Sequence, residues 1–150
     1  MAHRLTKDFY LHEFTTSQTA ARMGKTIVAP PTVIANIEAL CRYILQPLRD
    51  SIGVTITINS GYRPLWLNTA VGGSTTSQHV FGQAADIVAS RHTPRELCEH
   101  IVEIDLPFDQ LILEFDQWTH VSYAKNPRHQ ILTARVVNRK TRYFPGLVEG

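Results

Sequence analysis

The sequence predicts a single α+β domain with a mainly antiparallel central sheet and helices packed on one face. Three observations lead to this fold class. Apolar residues in the first third recur at helical spacing, the middle contains a strand of alternating apolar and polar residues, and the last third holds closely spaced strands. A chain of 150 residues with 43% hydrophobic and 19% charged residues has the size and composition of one globular domain. We therefore assign residues 1–150 to one domain.

Four segments have the pattern of helices. Residues 16–23 form a short helix that ends near a glycine, and residues 32–51 form a longer one with an apolar stripe. Pro47 should kink the longer helix or end its regular part, because proline lacks a backbone N–H and crowds the preceding turn. A third helix runs over 64–71. The fourth, over 94–104, begins with a threonine and a glutamate spaced as a capping box.

Five segments read as strands, and each is bounded by turn-forming residues. The clearest is VTITINS, in which valine and isoleucine alternate with threonine and asparagine. The predicted strands cover 54–60, 85–90, 108–115, 118–123 and 130–137, and a turn follows at Asn138. We expect the last three to form an antiparallel meander, because the connections between them are short.

Composition limits the possible partners and location. A net charge of +2 is too small to indicate a nucleic-acid partner, and no apolar run reaches the length of a membrane span. The N-terminal residues lack the apolar segment of a signal peptide. We therefore expect a protein made in the cytoplasm that does not insert into membranes, and we expect a monomer. Cys41 and Cys98 lie inside predicted helices and are interpreted as buried thiols.

The stretch SQHVFGQAAD, residues 77–86, combines a histidine with an aspartate seven positions later. Asp86 would enter an apolar strand, where a carboxylate is costly to bury without a partner. A metal ion is one such partner, since zinc binds imidazole nitrogen and carboxylate oxygen, and Gly82 permits the bend that would bring His79 near Asp86. A hydrogen-bonded cap is another solution. Spacing alone leaves both interpretations open.

Three separated segments together resemble a known family. Residues 77–86 match the pattern SxHxxGxAxD of the zinc D-Ala-D-Ala peptidases, which include D-Ala-D-Ala carboxypeptidases and endopeptidases of phage endolysins. Residues 60–63 (SGYR) resemble that family's SGYR segment, and residues 118–120 (WTH) resemble the segment of its third metal ligand. The order along the chain is the family's, and the resemblance covers about residues 30–137. It implies the D-Ala-D-Ala peptidase or hedgehog-like zinc peptidase fold.

The resemblance also implies the parts of a catalytic site. One Zn²⁺ ion would be held by His79, Asp86 and His120, with water in the fourth position. Arg63 would donate a hydrogen bond to the substrate carbonyl oxygen as that oxygen becomes anionic. For Ser77 two roles remain open, binding of a substrate carboxylate and capping of its own loop.

The general base is where the chain departs from the family pattern. Better-known members carry Glu or Asp three residues before the last histidine, and here that residue is Gln117, which cannot accept the proton. Glu114 and Asp116 are the candidates. If residues 115–117 form the loop between the strands, Glu114 shares a face with His120; if the loop is one residue shorter, Glu114 faces away. We favour Glu114, because aspartate is common in turns for backbone reasons alone.

These features predict a zinc metallopeptidase that hydrolyses peptide bonds in peptidoglycan stem peptides or cross-links, in phage-type cell-wall lysis. Tyr62 and Trp118 are candidate walls of a substrate groove, although aromatic residues at such positions also pack in cores. The alternative is a non-catalytic peptidoglycan-binding or tail-associated module that keeps the fold. A lysis enzyme without a signal peptide would reach the cell wall through a membrane pore. The ligand set does not distinguish which peptide bond is cut.

Overall fold

A computed structural model describes residues 2–149 as five α-helices and a six-stranded sheet. The helices are α1 (Gln18–Arg22), α2 (Pro31–Leu40), α3 (Gln46–Ile52), α4 (Leu65–Ala70) and α5 (Pro94–Glu103). The strands are β1 (Ile56–Ser60), β2 (Ala84–Ala89), β3 (Gln110–Glu114), β4 (Trp118–Ser122), β5 (Gln130–Val137) and β6 (Lys140–Pro145). Between residues 2 and 149, every helix is too short or too polar to cross a bilayer.

The sheet is mixed, with the strand order β1-β2-β4-β3-β5-β6. The α+β class is confirmed, and the neighbouring strands are antiparallel except for β3 and β5, which run parallel. The expected meander of the last three predicted strands is wrong. β4 pairs with β2 on one edge and β3 on the other, so neither edge of β4 is free for β5. The chain crosses back after β4 and adds β5 to the open edge of β3.

The long predicted helix is continuous but irregular. A single π-helical turn, Cys41–Leu45, joins α2 to α3 and ends two residues before Pro47. A proline ring collides with the carbonyl of the residue four positions earlier, and a wider turn relieves that collision. Pro47 therefore interrupts the regular helix, as predicted. The helix ends at Gly53, which adopts a φ of 72°.

One strand, β6, was not predicted. Asn138 and Arg139 both have positive φ values, 52° and 66°, and they form a two-residue turn that returns the chain alongside β5. Two successive positive φ values are typical of tight hairpin turns, whose twist matches that of the strands. The turn was predicted at this position, but the polar sequence KTRYFP lacks the apolar alternation that marks a strand.

The two faces of the sheet differ in character. On one face, apolar residues of β2, β3 and β4 pack with the α2–α3 and α5 helices in the main core. The buried side chains of this face include Ala85, Ile87, Leu111, Leu113 and Val121. The alternate residues of the same strands point to the other face, because successive side chains in a strand point to opposite sides. That face carries the histidine, carboxylate and cleft residues described below.

Gly82 packs against α2, and this contact gives a first prediction. It adopts a φ of +75°, and a Cβ built there would lie 2.8 Å from Val33 Cγ1 and 3.0 Å from the Val33 carbonyl oxygen on α2. Gly24 has a similar φ of +68° with nothing within 4 Å, so it is a matched control for backbone strain alone. We expect Gly24→Ala to lower the free energy of unfolding by about 1 kcal/mol. Gly82→Ala should lower it by roughly 1–3 kcal/mol more, because the methyl group overpacks the contact with α2.

Urea denaturation of both variants, with a chelator present so that metal binding does not contribute, measures the difference. Equal losses in the two variants would contradict the steric argument.

Candidate metal centre

Three potential metal ligands converge on the face of the sheet opposite the helices. His79 lies in a short 3-10 turn, Gln78–Phe81, while Asp86 and His120 lie directly opposite each other on β2 and β4. Asp86 Oδ1 is 3.2 Å from His79 Nε2 and 3.0 Å from His120 Nδ1. One ligand atom from each residue lies within 4.8 Å of the other two. The structure therefore brings the three predicted ligands together.

Backbone contacts fix the orientation of His79. Its Nδ1 lies 2.8 Å from the Gly61 carbonyl oxygen, an acceptor, so Nδ1 carries the proton and Nε2 presents its lone pair towards Asp86. The Arg63 N–H donates to the His79 carbonyl oxygen at 2.9 Å. The His79 N–H donates to Ser77 Oγ at 3.2 Å, which is the capping role considered for that serine. The SGYR segment is thus joined to His79 by two hydrogen bonds, one through the Gly61 carbonyl and one through the Arg63 N–H.

The donor set fits a zinc ion. Two imidazole nitrogens and one carboxylate oxygen, with one side open, make up a common catalytic zinc site. Bonds of about 2.0–2.1 Å in a tetrahedron place neighbouring ligand atoms about 3.3 Å apart. The two contacts of Asp86 Oδ1, at 3.2 and 3.0 Å, are close to that spacing. His79, Asp86 and His120 are 2%, 8% and 7% exposed, so the ligands are held by the fold.

Burial and mutual contact set the ionisation of the three groups. Burial lowers the pKa of His79, so its ring is neutral at neutral pH. Burial would raise the pKa of Asp86, but the two neighbouring histidines, His120 through a hydrogen bond to Asp86 Oδ1, hold that pKa well below its usual range. Burial would also lower the pKa of His120, yet its hydrogen bond to Asp86 and the charges of Asp86 and Glu114 raise it. Without a metal, an ionised Asp86 is therefore paired with a readily protonated His120.

Glu114 lies beside this cluster. Residues 115–117 form the loop between β3 and β4, and Glu114 pairs with Trp118, as in the longer of the two predicted loops. Its carboxylate points to the face of His120, with Oε1 3.4 Å from His120 Nδ1 and the side chain 15% exposed. Burial and then the charge of Asp86 raise the pKa of Glu114, outweighing the opposing effect of its other neighbours.

Asp116, the other candidate base, lies away from the cluster. It occupies the hairpin loop with a φ of 54°, and its side chain is 56% exposed. Its Oδ1 is 3.8 Å from an Arg95 guanidinium nitrogen on α5. A left-handed conformation in a tight loop is a position that aspartate tolerates well. Asp116 therefore has a structural explanation that needs no catalytic role.

A cleft passes over the cluster, and most of the predicted substrate-contact residues line it. Arg63, Ser77, Glu114 and Trp118 all contribute to its walls. The Arg63 Nε and the Trp118 indole N–H are buried and have no acceptor within residues 2–149. Tyr62 does not join them: it is 8% exposed, packs in the core and borders a separate depression. The prediction that Tyr62 walls the groove is therefore dropped, because its ring is used in packing.

Two parts of the cleft region were not predicted from the sequence. The buried Asp109 carboxylate accepts from Gln78 Nε2 at 2.9 Å and from Arg128 Nη2 at 2.8 Å, which ties the histidine turn to the segment after β4. In the sequence, the only indication of this contact was a polar residue at the start of an apolar strand. The second part is Tyr143 on β6, which could be found only after recognising the Asn138 turn as a hairpin.

Comparisons with known proteins agree with this geometry. Residues 7–122 match the family described as Peptidase M15. A segment of 46 residues is 44% identical to the zinc D-Ala-D-Ala carboxypeptidase of Streptomyces albus G. That segment is 30% of this chain but only 18% of the relative, so most of the relative has no counterpart in the alignment. The resemblance seen in the three sequence motifs is confirmed: the chain belongs to the peptidase M15 family.

Proposed function

We propose that the protein is a zinc-dependent peptidase that hydrolyses peptide bonds in peptidoglycan stem peptides or cross-links. One observation carries the proposal: the His79–Asp86–His120 cluster shares a single cleft with a buried carboxylate and a guanidinium group. The name of the Streptomyces albus G relative supports the substrate class. We further propose a role in phage-type cell-wall lysis, in which the enzyme reaches the wall through a membrane pore.

In this proposal His79, Asp86 and His120 would hold one zinc ion, which would polarise the scissile carbonyl and acidify the attacking water. Glu114 accepts the proton of the attacking water and passes it to the leaving amine. Its position 3.4 Å from His120 and its raised pKa support this role, because the carboxylate must hold the proton between the two transfers.

Arg63 is the proposed stabiliser of the developing negative charge on the carbonyl oxygen. Its guanidinium lines the cleft, and its Nε has no partner among the residues described. Burial lowers the pKa of Arg63, but the charges of Asp86 and Glu114 oppose this and arginine remains protonated at any working pH. A preorganised donor of this kind contributes more in the transition state than in the ground state.

Ser77 and Trp118 are proposed substrate contacts. Ser77 Oγ already accepts the His79 N–H, so its hydroxyl hydrogen remains available to donate to a substrate carboxylate. Stem peptides carry free carboxylates that such a donor could bind. The Trp118 ring lies at the Glu114 end of the cleft, where it can pack against the peptide.

A non-catalytic wall-binding module was the alternative interpretation, and the apparent absence of a base was the feature that favoured it. The position of Glu114 removes that argument. The experiment that separates the two functions is incubation of purified sacculi with the protein, with and without a chelator. Zinc-dependent release of new amino groups is expected; tight sedimentation with the sacculi and no new amines would establish the binding module instead. Mass spectrometry of the released muropeptides identifies the bond that is cut.

The base assignment gives a second prediction. At about pH 8, Glu114→Gln should bind zinc with the affinity of the parent protein, because Glu114 is outside the ligand set, and should lose roughly 10²–10⁴-fold in kcat. The matched control is Asp116→Asn, two residues along the same hairpin, which should retain near-parental kcat. Zinc titration and kinetics on a defined muropeptide measure both. High turnover by a zinc-loaded Glu114→Gln protein would refute the assignment.

The ionisation of the three ligands in the absence of metal gives a third prediction. His120 must lose its proton to bind zinc, and its pKa is raised, whereas His79 is already neutral near pH 7. Zinc affinity should therefore fall as the pH drops through the raised His120 pKa, by up to about tenfold per pH unit. Calorimetric titration with zinc at about pH 6 and about pH 8, in buffers of different ionisation enthalpy, measures the number of protons released on binding.

The same titration has a matched variant. Glu114→Gln removes one of the charges that raise the His120 pKa. This variant should therefore release fewer protons per zinc ion bound at the lower pH. Zinc binding that releases the same number of protons at both pH values in the parent protein would contradict the prediction.

A further inference from the structure

Tyr143 is a cleft residue with no assigned role. It lies on β6, beyond the residues 7–122 that match the family, and it lines the same cleft as His120 and Glu114. The residue is 55% exposed, although its face of the sheet is the one that carries the metal cluster. A large aromatic side chain that is half exposed at the edge of a cleft is suited to contact with a ligand.

The strand register places Tyr143 in line with Glu114. Glu114 pairs with Ala134 on β5, and Ala134 pairs with Tyr143 on β6, so the three side chains point to the same face. The outer two strands of the three lie about 10 Å apart. Ala134 is fully buried and contributes only a methyl group between them. The row itself therefore places no large side chain between Glu114 and Tyr143.

The order of groups across the sheet gives the cleft a direction. Arg63 follows β1 at one side, the Asp86 and His120 ligands come next on β2 and β4, and Glu114 lies beyond them on β3. Glu114 is the proposed donor of the proton to the leaving amine, so the amine side of the scissile bond lies towards β3. Tyr143 on β6 is the next aromatic group in that direction.

We propose that Tyr143 packs against the substrate residue that carries the leaving amine and sets the specificity for its side chain. The inference rests on the proposed peptidase function. The floor beside Tyr143 consists of Ile112 and Leu132, which are register partners on β3 and β5 and also line the cleft. Two aliphatic side chains and an aromatic ring favour the aliphatic part of a side chain over a bare glycine.

The ionisation of the Tyr143 phenol is consistent with an uncharged wall of the cleft. Partial burial, and then the charges of Glu114 and Asp86, raise the pKa of Tyr143, so the ring is neutral throughout the range in which the enzyme would work. A neutral tyrosine adds no second negative charge beside Glu114. The ring, rather than the hydroxyl, is therefore the part of the side chain assigned to the contact.

The test compares Tyr143→Ala and Tyr143→Phe with Arg142→Ala. Arg142 is the neighbouring residue on β6, is exposed, and points to the opposite face, so it is a matched control. The substrates are a synthetic stem pentapeptide ending in D-Ala-D-Ala and its counterpart with glycine at the residue after the cleaved bond. Mass spectrometry of the first digest identifies that bond.

The parent protein should prefer the pentapeptide to the glycine counterpart by about tenfold or more in kcat/KM. Tyr143→Ala should raise KM for the pentapeptide about tenfold at nearly unchanged kcat and should bring the preference close to one. Tyr143→Phe and Arg142→Ala should keep both values. An unchanged KM and an unchanged preference in Tyr143→Ala, with normal zinc binding and melting temperature, would overturn the inference.

A binding measurement separates this inference from the proposed function. The zinc-loaded Glu114→Gln protein should bind the pentapeptide. The double variant, Glu114→Gln with Tyr143→Ala, should bind it about tenfold more weakly. If the parent protein binds the peptide but hydrolyses neither it nor sacculi, and Tyr143→Ala still weakens binding, the peptidase function fails and the contact stands. If sacculi are hydrolysed but the pentapeptide is neither bound nor cleaved, the inference is overturned and the function stands. If the protein neither binds nor cleaves either substrate, both are overturned.

Discussion

The buried Asp86 carboxylate is the constraint on which the site depends. It lies on an apolar strand between Ala85 and Ile87 and is only 8% exposed, a position in which an unpaired charge would cost several kcal/mol. The His120 ring, opposite it on β4, relieves that cost with a hydrogen bond, and the His79 ring, from the turn that precedes β2, approaches the same carboxylate oxygen. Because both partners are also suitable metal ligands, the interactions that make this carboxylate tolerable in the fold also assemble the donor set.

Holding His79 in place requires segments that are distant in the sequence. Its ring is fixed by the Gly61 carbonyl oxygen, and a Cβ at Gly61 would lie 2.6 Å from Phe14 Cα, so the N-terminal segment packs directly behind that glycine. The Tyr62 N–H donates to the Phe14 carbonyl oxygen at 2.8 Å. An irregularity in β1 between Ile58 and Ser60 lets the chain arrive here in the correct orientation. The histidine is thus oriented by backbone groups, which have fewer alternative conformations than side chains.

Sequence predicted the parts of this arrangement that depend on local pattern. The three ligands were predicted from the resemblance of three motifs to a peptidase family. The face of Glu114 follows from the period of two along a strand once the loop length is known. The parallel pairing of β3 with β5 could not be predicted in this way, because it depends on which strand edges remain free after β2 has paired with β4. The strand β6 and the Asp109–Arg128 pair were missed because polar edge strands and single buried charges carry little periodic signal.

The hairpin between β3 and β4 explains how the chain can depart from the family pattern and keep a carboxylate at the site. A three-residue loop, with positive φ at Phe115 and Asp116, puts Gln117 in the turn, where its N–H donates to the Glu114 carbonyl oxygen. The proposed base is therefore the last strand residue before the loop instead of a residue within it. A strand residue is held by cross-strand pairs on both sides, here Trp118 and Ala134, so the carboxylate approaches His120 from a rigid backbone. Loop length, more than the identity of residue 117, decides whether a carboxylate lies beside His120.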